Sequence, residues 1–561
     1  VPDADVVLIG LGAAGGVAAD VLTAAGVEVL ALEAGPWLDA DAARFDEIAN
    51  VAHARLSEPK SKHEVPTWRS DEREEAGPAP HPMLMVNAVG GTTVHYEGLS
   101  IRLGPHAFRA RSATVERYGE GAIPAGATLA DWPLGYEDLG PHYAAVEHAI
   151  GVAGAAYDGV TVGAAAGNAF AGPRSGPFPM GPLRSSGWSE LTADAAQRLG
   201  WHPFAAPASL NSEPYDGRPA CTYCGFCMHN VCHNDAKGAT HLNVIRRAQA
   251  TGRLRIETGA RALEIVAGDD GRARGVRYRD ADGRERIARA RIVLLAAYTF
   301  ENVRLLLLSR SPAHPAGLGN DHGQVGRHFM VHVCPFVYGR FPGRRLNVFT
   351  GVGSQATCVD DLNDDNFDHD GLGFIGGGML TAFGECTPIA FAKNACPPDV
   401  PRWGAAWKDW MARNAQSVGA VYAQFDALPY EHNRLDLDPT VTDRLGVPVI
   451  RVTHRLGENE ERAVAFYRER LHAWLREAGA TETWATPPHV EGRHAFGGTR
   501  MGAAPATSVV DGFGFVHDAP NVGVLGASIF PSMGGHNPTL TLQALARRSA
   551  LRLVDDWAAV A

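Results

Sequence analysis

The first 33 residues constrain the fold more than any other stretch of the chain. Asp5-Val-Val-Leu-Ile-Gly10 is an apolar run of strand length, and Gly10-Leu-Gly12-Ala-Ala-Gly15 follows it directly. Apolar residues then recur at helical spacing through Val17, Val21, Leu22 and Ala25; Gly26 ends that helix, and Glu28-Val-Leu-Ala-Leu-Glu33 supplies a second strand. Strand, G-x-G-x-x-G, helix, strand and an acidic residue ~20 positions after the glycines is the order of a dinucleotide-binding βαβ unit. Gly10 permits the tight turn, Gly12 lets a pyrophosphate approach the backbone, and Gly15 allows close helix–strand packing. The helix N-terminus offers free N–H groups to phosphate, and Glu33 can accept hydrogen bonds from ribose hydroxyls. These residues leave open whether the dinucleotide is FAD or NAD.

The remaining length sets the scale. At 561 residues the chain is long for one core, since domains run ~100–200 residues, so two large lobes are expected. A net charge of −11 argues against a nucleic-acid partner, which needs a basic stripe to neutralise phosphates. No stretch reaches the ~20 uninterrupted apolar residues of a membrane span. The most apolar segment, Ile292 to Ser309, is broken by Glu301, Asn302 and Arg304 and reads as a strand, a turn and a buried helix. The first residues show neither a basic n-region nor an apolar h-region, so no export signal is visible. Location is left open between the cytoplasm and export together with a partner subunit.

Cys221, Cys224, Cys227 and Cys232 fall within twelve residues, whereas Cys334, Cys358, Cys386 and Cys396 are scattered. A disulfide-stapled protein does not crowd half its cysteines into one loop, and the cluster reads as a metal site. Three thiols in one seven-residue loop suit an iron–sulfur cluster better than zinc, which usually takes two separated Cys-x-x-Cys knuckles. Zinc and uncoordinated thiols stay as alternatives. His229 and His233 are adjacent and read as solvated loop residues.

Near the carboxyl end stand His494-Ala-Phe-Gly-Gly-Thr-Arg-Met-Gly502, Gly526-Ala-Ser528 and Gly534-Gly-His-Asn537-Pro-Thr539, before a helical run from Leu542 to Trp557. With the Gly10–Glu33 fingerprint and Asn87-Ala-Val-Gly-Gly91-Thr-Thr-Val-His-Tyr96, this set resembles the glucose–methanol–choline (GMC) oxidoreductase family. Asp131-Trp-Pro-Leu-Gly-Tyr-Glu-Asp-Leu-Gly-Pro-His-Tyr143, Cys221-Thr-Tyr-Cys-Gly-Phe-Cys227 and Gly498–Val510 resemble its sugar and polyol dehydrogenases, the gluconate 2-dehydrogenase flavoprotein subunits among them. After Cys227 the chain departs from that subgroup, with Met228-His-Asn-Val in place of aromatic residues.

The resemblance implies FAD as cofactor and oxidation of an alcohol, with His494 and Asn537 as the active-site pair. A neutral imidazole suits removal of the hydroxyl proton, so His494 is the candidate base and Asn537 would hold the substrate oxygen. His536 is out of register for either role. Cofactor contacts are expected at Gly10, Gly12, Gly15, Glu33, Gly90, Gly91, Thr92, His95, Ala260, Gly526, Ala527, Pro538 and Thr539. For His95, three readings stand: a covalent flavin link, packing against the flavin edge, or a structural role. The resemblance also implies a three-iron cluster on the cysteine loop, and a small subunit with a cytochrome or quinone-linked acceptor. The substrate class is a sugar or sugar-derived alcohol. Competing readings are an oxidase using O2, a biosynthetic alcohol dehydrogenase acting on a sugar-containing natural product, and a non-catalytic electron-transfer or scaffold subunit.

The expected fold class is α/β with an α+β substrate lobe: a Rossmann-type FAD-binding domain interleaved with an antiparallel-sheet substrate domain. Residues 1–40, 240–310 and 485–561 are assigned to the FAD domain, 41–239 to a linking region carrying the cysteine loop at 221–232, and 315–484 to the substrate domain. Val421–Phe425 is expected as a strand, and Glu458–Ala478 as a helix with a charged, solvated face.

Overall fold

A computed structural model describes residues 2–57, 59–60, 64–79, 85–384 and 386–560. Its first sheet has five parallel strands drawn from three distant parts of the chain, in the spatial order Ala519–Val524, Glu285–Leu295, Ala4–Ile9, Val29–Glu33 and Leu254–Thr258. Ala4–Ile9 lies at the centre, with Val6 beside both Val29 and Ile292. Val6, Val7 and Leu8 are fully buried, as a parallel strand covered on both faces requires. The hairpin Arg261–Ala267 and Ala273–Arg279 joins the sheet through Glu285–Leu295, and Phe515–Val516 closes the other edge.

The helix Ala13–Ala24 follows the first strand and buries Val17, Ala18 and Leu22, packing on the C-terminal helix Thr539–Asp555. Its N-cap is Gly12, with no side chain capping the first turn. The apolar segment 292–309 resolves as the end of a strand and the buried helix Thr299–Leu308.

The second sheet is antiparallel throughout. Its path runs Glu482–Ala485, Phe336–Arg340, Val418–Phe425, Gly378–Ala382, Thr357–Val359 and Pro203–Ala205. Met330–Cys334 and His489–Phe496 extend it. Two features depart from the segment assignment made on sequence. Pro203–Ala205, from the linking region, forms one edge, and His489–Phe496 pairs in this sheet rather than in the parallel one. A third, four-stranded sheet combines Arg434–Thr442 and Pro448–Thr453 with Thr67–Arg69 and Gly77–Pro78. The helix Glu458–Glu477 lays Ala463, Val464, Tyr467, Leu471 and Trp474 into the core and keeps most of its charges outside. Glu460 is buried, its carboxylate accepting the N–H groups of Leu428 and Gly457 and the Tyr430 hydroxyl. Among the described residues no helix is long and apolar enough to cross a membrane.

Candidate active site

A cavity of about 810 Å³ lies between the two large sheets. At one end it is walled by the turns after the first two parallel strands. Gly10 takes φ +87°, and a Cβ there would stand 2.6 Å from the carbonyl oxygen of Ala296. Gly91, at φ +53°, lies so close to the first turn that a Cβ would meet Gly12 Cα at 2.9 Å. The two glycine turns therefore touch backbone to backbone, and Gly10, Gly12, Gly91 and Thr92 all line the cavity. Gly15 and Gly90 are not in its wall. A Cβ on Gly15 would fall 2.2 Å from the Gly10 oxygen, and one on Gly90 would fall 2.9 Å from His241 Nδ1, so both glycines serve packing.

Glu33 ends its strand at the cavity wall and is buried. One carboxylate oxygen accepts the N–H of Leu11 and the other that of Gly35, each at 2.9 Å. Burial pushes its pKa up to about 7, against the pull of those two donors and of Lys60 and Arg261. Ala260, Gly526, Ala527, Pro538 and Thr539 continue the wall, and Gly526 at φ +110° has open space where its Cβ would be. His95 is buried in the same wall with its ring stacked on His229, centroids 5.9 Å apart. His229 and Met228 line the cavity too, so the loop expected to be solvated there is packed against the site.

His494 and Asn537 reach the cavity from different segments. His494 sits in an irregularity of the second sheet. Val331 pairs with Ala495 and His332 with Glu491, leaving residues 492–494 as a bulge. Bulges of this kind re-aim side chains beside functional sites. The Tyr298 hydroxyl donates to the Gly492 carbonyl and the Thr299 hydroxyl to that of Ala495, pinning the bulge to the start of the buried helix. Asn537 precedes the C-terminal helix, and its Oδ1 is buried with no hydrogen-bond partner. His536 points away from the cavity. Its Nε2 lies 2.9 Å from Asp360 Oδ2, and although burial opposes charge, that carboxylate raises the imidazole above its ordinary value.

The cysteine loop holds a less ordered set of thiols than the spacing suggested. Cys224 is exposed, Cys221 and Cys232 are half-buried, and Cys227 packs in an apolar cluster with Met180, Leu183 and Val352. Burial pushes the Cys221 thiol up to about 11, with Cys232 and Cys224 adding to the rise, and the Cys232 thiol donates to Asn234. What ties the loop is Lys237, fully buried, whose ammonium donates to the carbonyls of Cys227 and Asn230 at 3.0 and 3.1 Å. Among the described residues no group of three or more His, Cys, Asp or Glu side chains is gathered as a metal-binding set. The four thiols are therefore not gathered into the ligand shell of an iron–sulfur cluster.

Comparison with known proteins decides the family. A curated relative, the gluconate 2-dehydrogenase flavoprotein of Pantoea cypripedii, is 32% identical over 99% of this chain and 94% of its own. The GMC oxidoreductase profiles match residues 181–334 and 429–546. The chain is a GMC oxidoreductase. The paromamine 6'-oxidase of Streptomyces fradiae is 29% identical over 98% of this chain and 91% of its own. Among solved structures, the pyridoxine 4-oxidase of Mesorbium loti shares the fold, with a TM-score of 0.61 at 16% identity over 98% of this chain and 99% of that one. GMC enzymes bind FAD, and this protein is an FAD-dependent alcohol or sugar oxidoreductase. The cavity fits that cofactor: two touching glycine turns at an uncapped helix N-terminus, a carboxylate fixed by backbone donors, and an orphaned amide oxygen line one connected space. Sequence reasoning missed His332, which contacts His494 through the strand pairing, as well as the cavity-facing positions of His229 and Lys60.

Proposed function

We propose that this protein oxidises a hydroxyl of a sugar, sugar acid or glycoside to a carbonyl, with His494 as the base. The observation that carries the proposal is that His494 and Asn537, from separate segments, reach the cavity walled by the two glycine turns. His494 takes the hydroxyl proton on a ring nitrogen as the carbon–oxygen double bond forms. When bound, FAD supplies the two-electron acceptor for the hydride leaving the same carbon. Asn537 holds the substrate through the amide oxygen that has no protein donor, an arrangement suited to a polyhydroxylated molecule with more than one hydroxyl to offer. Phe336, Tyr338, Phe383 and Tyr422 line the far part of the cavity, and Phe336 and Tyr422 stack 4.8 Å apart. Such aromatic faces suit the C–H faces of a sugar ring. Support for the substrate class comes from the relatives, whose names specify gluconate and paromamine.

For the electrons, we propose exit past the cysteine loop to a separate acceptor, such as a cytochrome or quinone-linked partner carried with a small subunit. The position of the loop supports this, since Met228 and His229 line the cavity. The test is turnover of gluconate, glucose and paromamine with an artificial acceptor, beside oxygen consumption and iron and sulfide analysis. Acceptor-dependent turnover of one of the three supports the reading. Fast oxygen consumption by iron-free protein would move the assignment to an oxidase, and no flavin reduction by any sugar probe would overturn it.

A further inference from the structure

His332 lies outside the motifs that mark the active site, yet it touches both segments that build it. It sits on the strand Met330–Cys334, fully buried, at the point where the pairing with His489–Phe496 slips. Its Nε2 is 2.8 Å from the carbonyl oxygen of Gly534, in the turn leading to Asn537, and its Nδ1 is 3.1 Å from Nδ1 of His494. The two rings meet edge to face, 5.2 Å between centroids, and Phe496 packs against His332 on another side at 5.0 Å.

The hydrogen-bonding logic has one consistent solution for a neutral ring. A carbonyl oxygen only accepts, so Nε2 of His332 carries the proton. Its Nδ1 then presents a lone pair, and the nitrogen facing it, Nδ1 of His494, must donate. That leaves the lone pair of His494 on Nε2. We infer that His332 is a positioning residue that fixes the tautomer and ring orientation of His494, directing the Nε2 lone pair to the substrate hydroxyl. The same contact to Gly534 ties the orientation of His494 to the turn that carries Asn537, so one buried imidazole registers both members of the pair. This assignment rests on His494 being the base.

Two substitutions separate the two contacts. An asparagine amide places its oxygen near the position of a histidine Nδ1, whereas a glutamine amide reaches the position of Nε2. His332→Asn therefore keeps an acceptor for His494, and His332→Gln keeps only the contact to Gly534. Anaerobic stopped-flow reduction of the flavin in the holoenzyme is read with gluconate, glucose or paromamine, whichever bleaches the wild type fastest. The glutamine variant is expected to lose on the order of 10²-fold in limiting rate with unchanged half-saturation, as misorientation of a reacting group does. The asparagine variant should stay within about tenfold of wild type, recovering at least ~10-fold over glutamine. His332→Phe, which keeps ring volume, replaces the glutamine variant if that protein does not hold FAD. Equal limiting rates in the acceptor-bearing and acceptor-free variants, whether both fast or both slow, overturn the inference. His494→Ala run alongside separates the two failures: if it reduces flavin normally, it is the base assignment that falls.

Discussion

Gly12→Ala and Gly15→Ala, three residues apart in one turn, should damage the protein in different ways. Gly12 has φ −90°, outside the left-handed region, and a Cβ there would stand 3.6 Å from Gly91 Cα, an ordinary contact. The fold therefore accepts the methyl group, and exchanging glycine for alanine at the N-cap costs about 1 kcal/mol or less. The methyl points into the cavity where pyrophosphate must approach the backbone, so FAD affinity is what it removes. At Gly15 the Cβ would fall 2.2 Å from the carbonyl oxygen of Gly10, a backbone atom of the turn itself. Overpacking of that kind costs about 1–3 kcal/mol. The ~1 kcal/mol that alanine gains as a helix former does not outweigh it. The assay is the flavin-to-protein absorbance ratio of each purified variant, with urea unfolding of the FAD-stripped forms. Gly12→Ala is expected to unfold near the wild-type midpoint but to lose FAD, and Gly15→Ala to unfold at lower urea. Stoichiometric FAD on Gly12→Ala, or a wild-type midpoint for Gly15→Ala, would refute the reasoning.

Other outcomes follow from single contacts. Glu33→Gln replaces one acceptor with an NH2 group facing a backbone N–H, which should cost about 1–3 kcal/mol and be read as weaker FAD retention and earlier urea unfolding. Because burial raises Glu33 from 4.5 to about 7, the folded apo-protein keeps its proton longer than the unfolded chain. Its linked stability is full below pH ~4.5 and is lost as pH rises to about 7. Apo-protein melting should show a shallower slope there in Glu33→Gln than in wild type, the remainder coming from the buried Asp426, also raised to about 7. Asp443→Ala strips the buried Arg304 of a carboxylate 2.8 Å from its guanidinium, leaving it Glu301 and the carbonyls of Val447 and Pro448. A loss of about 3 kcal/mol is expected in urea unfolding, and an unchanged midpoint would contradict it.

Local geometry explains which features could be read in the sequence. The Gly10–Glu33 unit was legible because its turn, helix and strand are contiguous and each glycine answers a backbone demand within a few residues. His494 and Asn537 were legible through the motifs around them. His332 was not, because its importance comes from pairing with a strand about 160 residues away and from a three-residue bulge that no periodicity signals. Pro203–Ala205 was hidden for the same reason, since three residues carry no alternation and earn their place only as an edge on Thr357–Val359. The cysteine spacing was legible, but the shape of its loop depends on Lys237 reaching two carbonyls from five residues beyond the last thiol.

The proposed oxidation turns on His494, and its most direct test is anaerobic flavin reduction by a sugar substrate in His494→Ala against wild type at matched FAD content. The side chain lines the cavity and lies outside the glycine turns and the Glu33 wall, so the variant should keep its FAD. Removing the base should slow bleaching of the flavin by ~10²–10⁴-fold. Bleaching at the wild-type rate, with FAD intact, would contradict the mechanism.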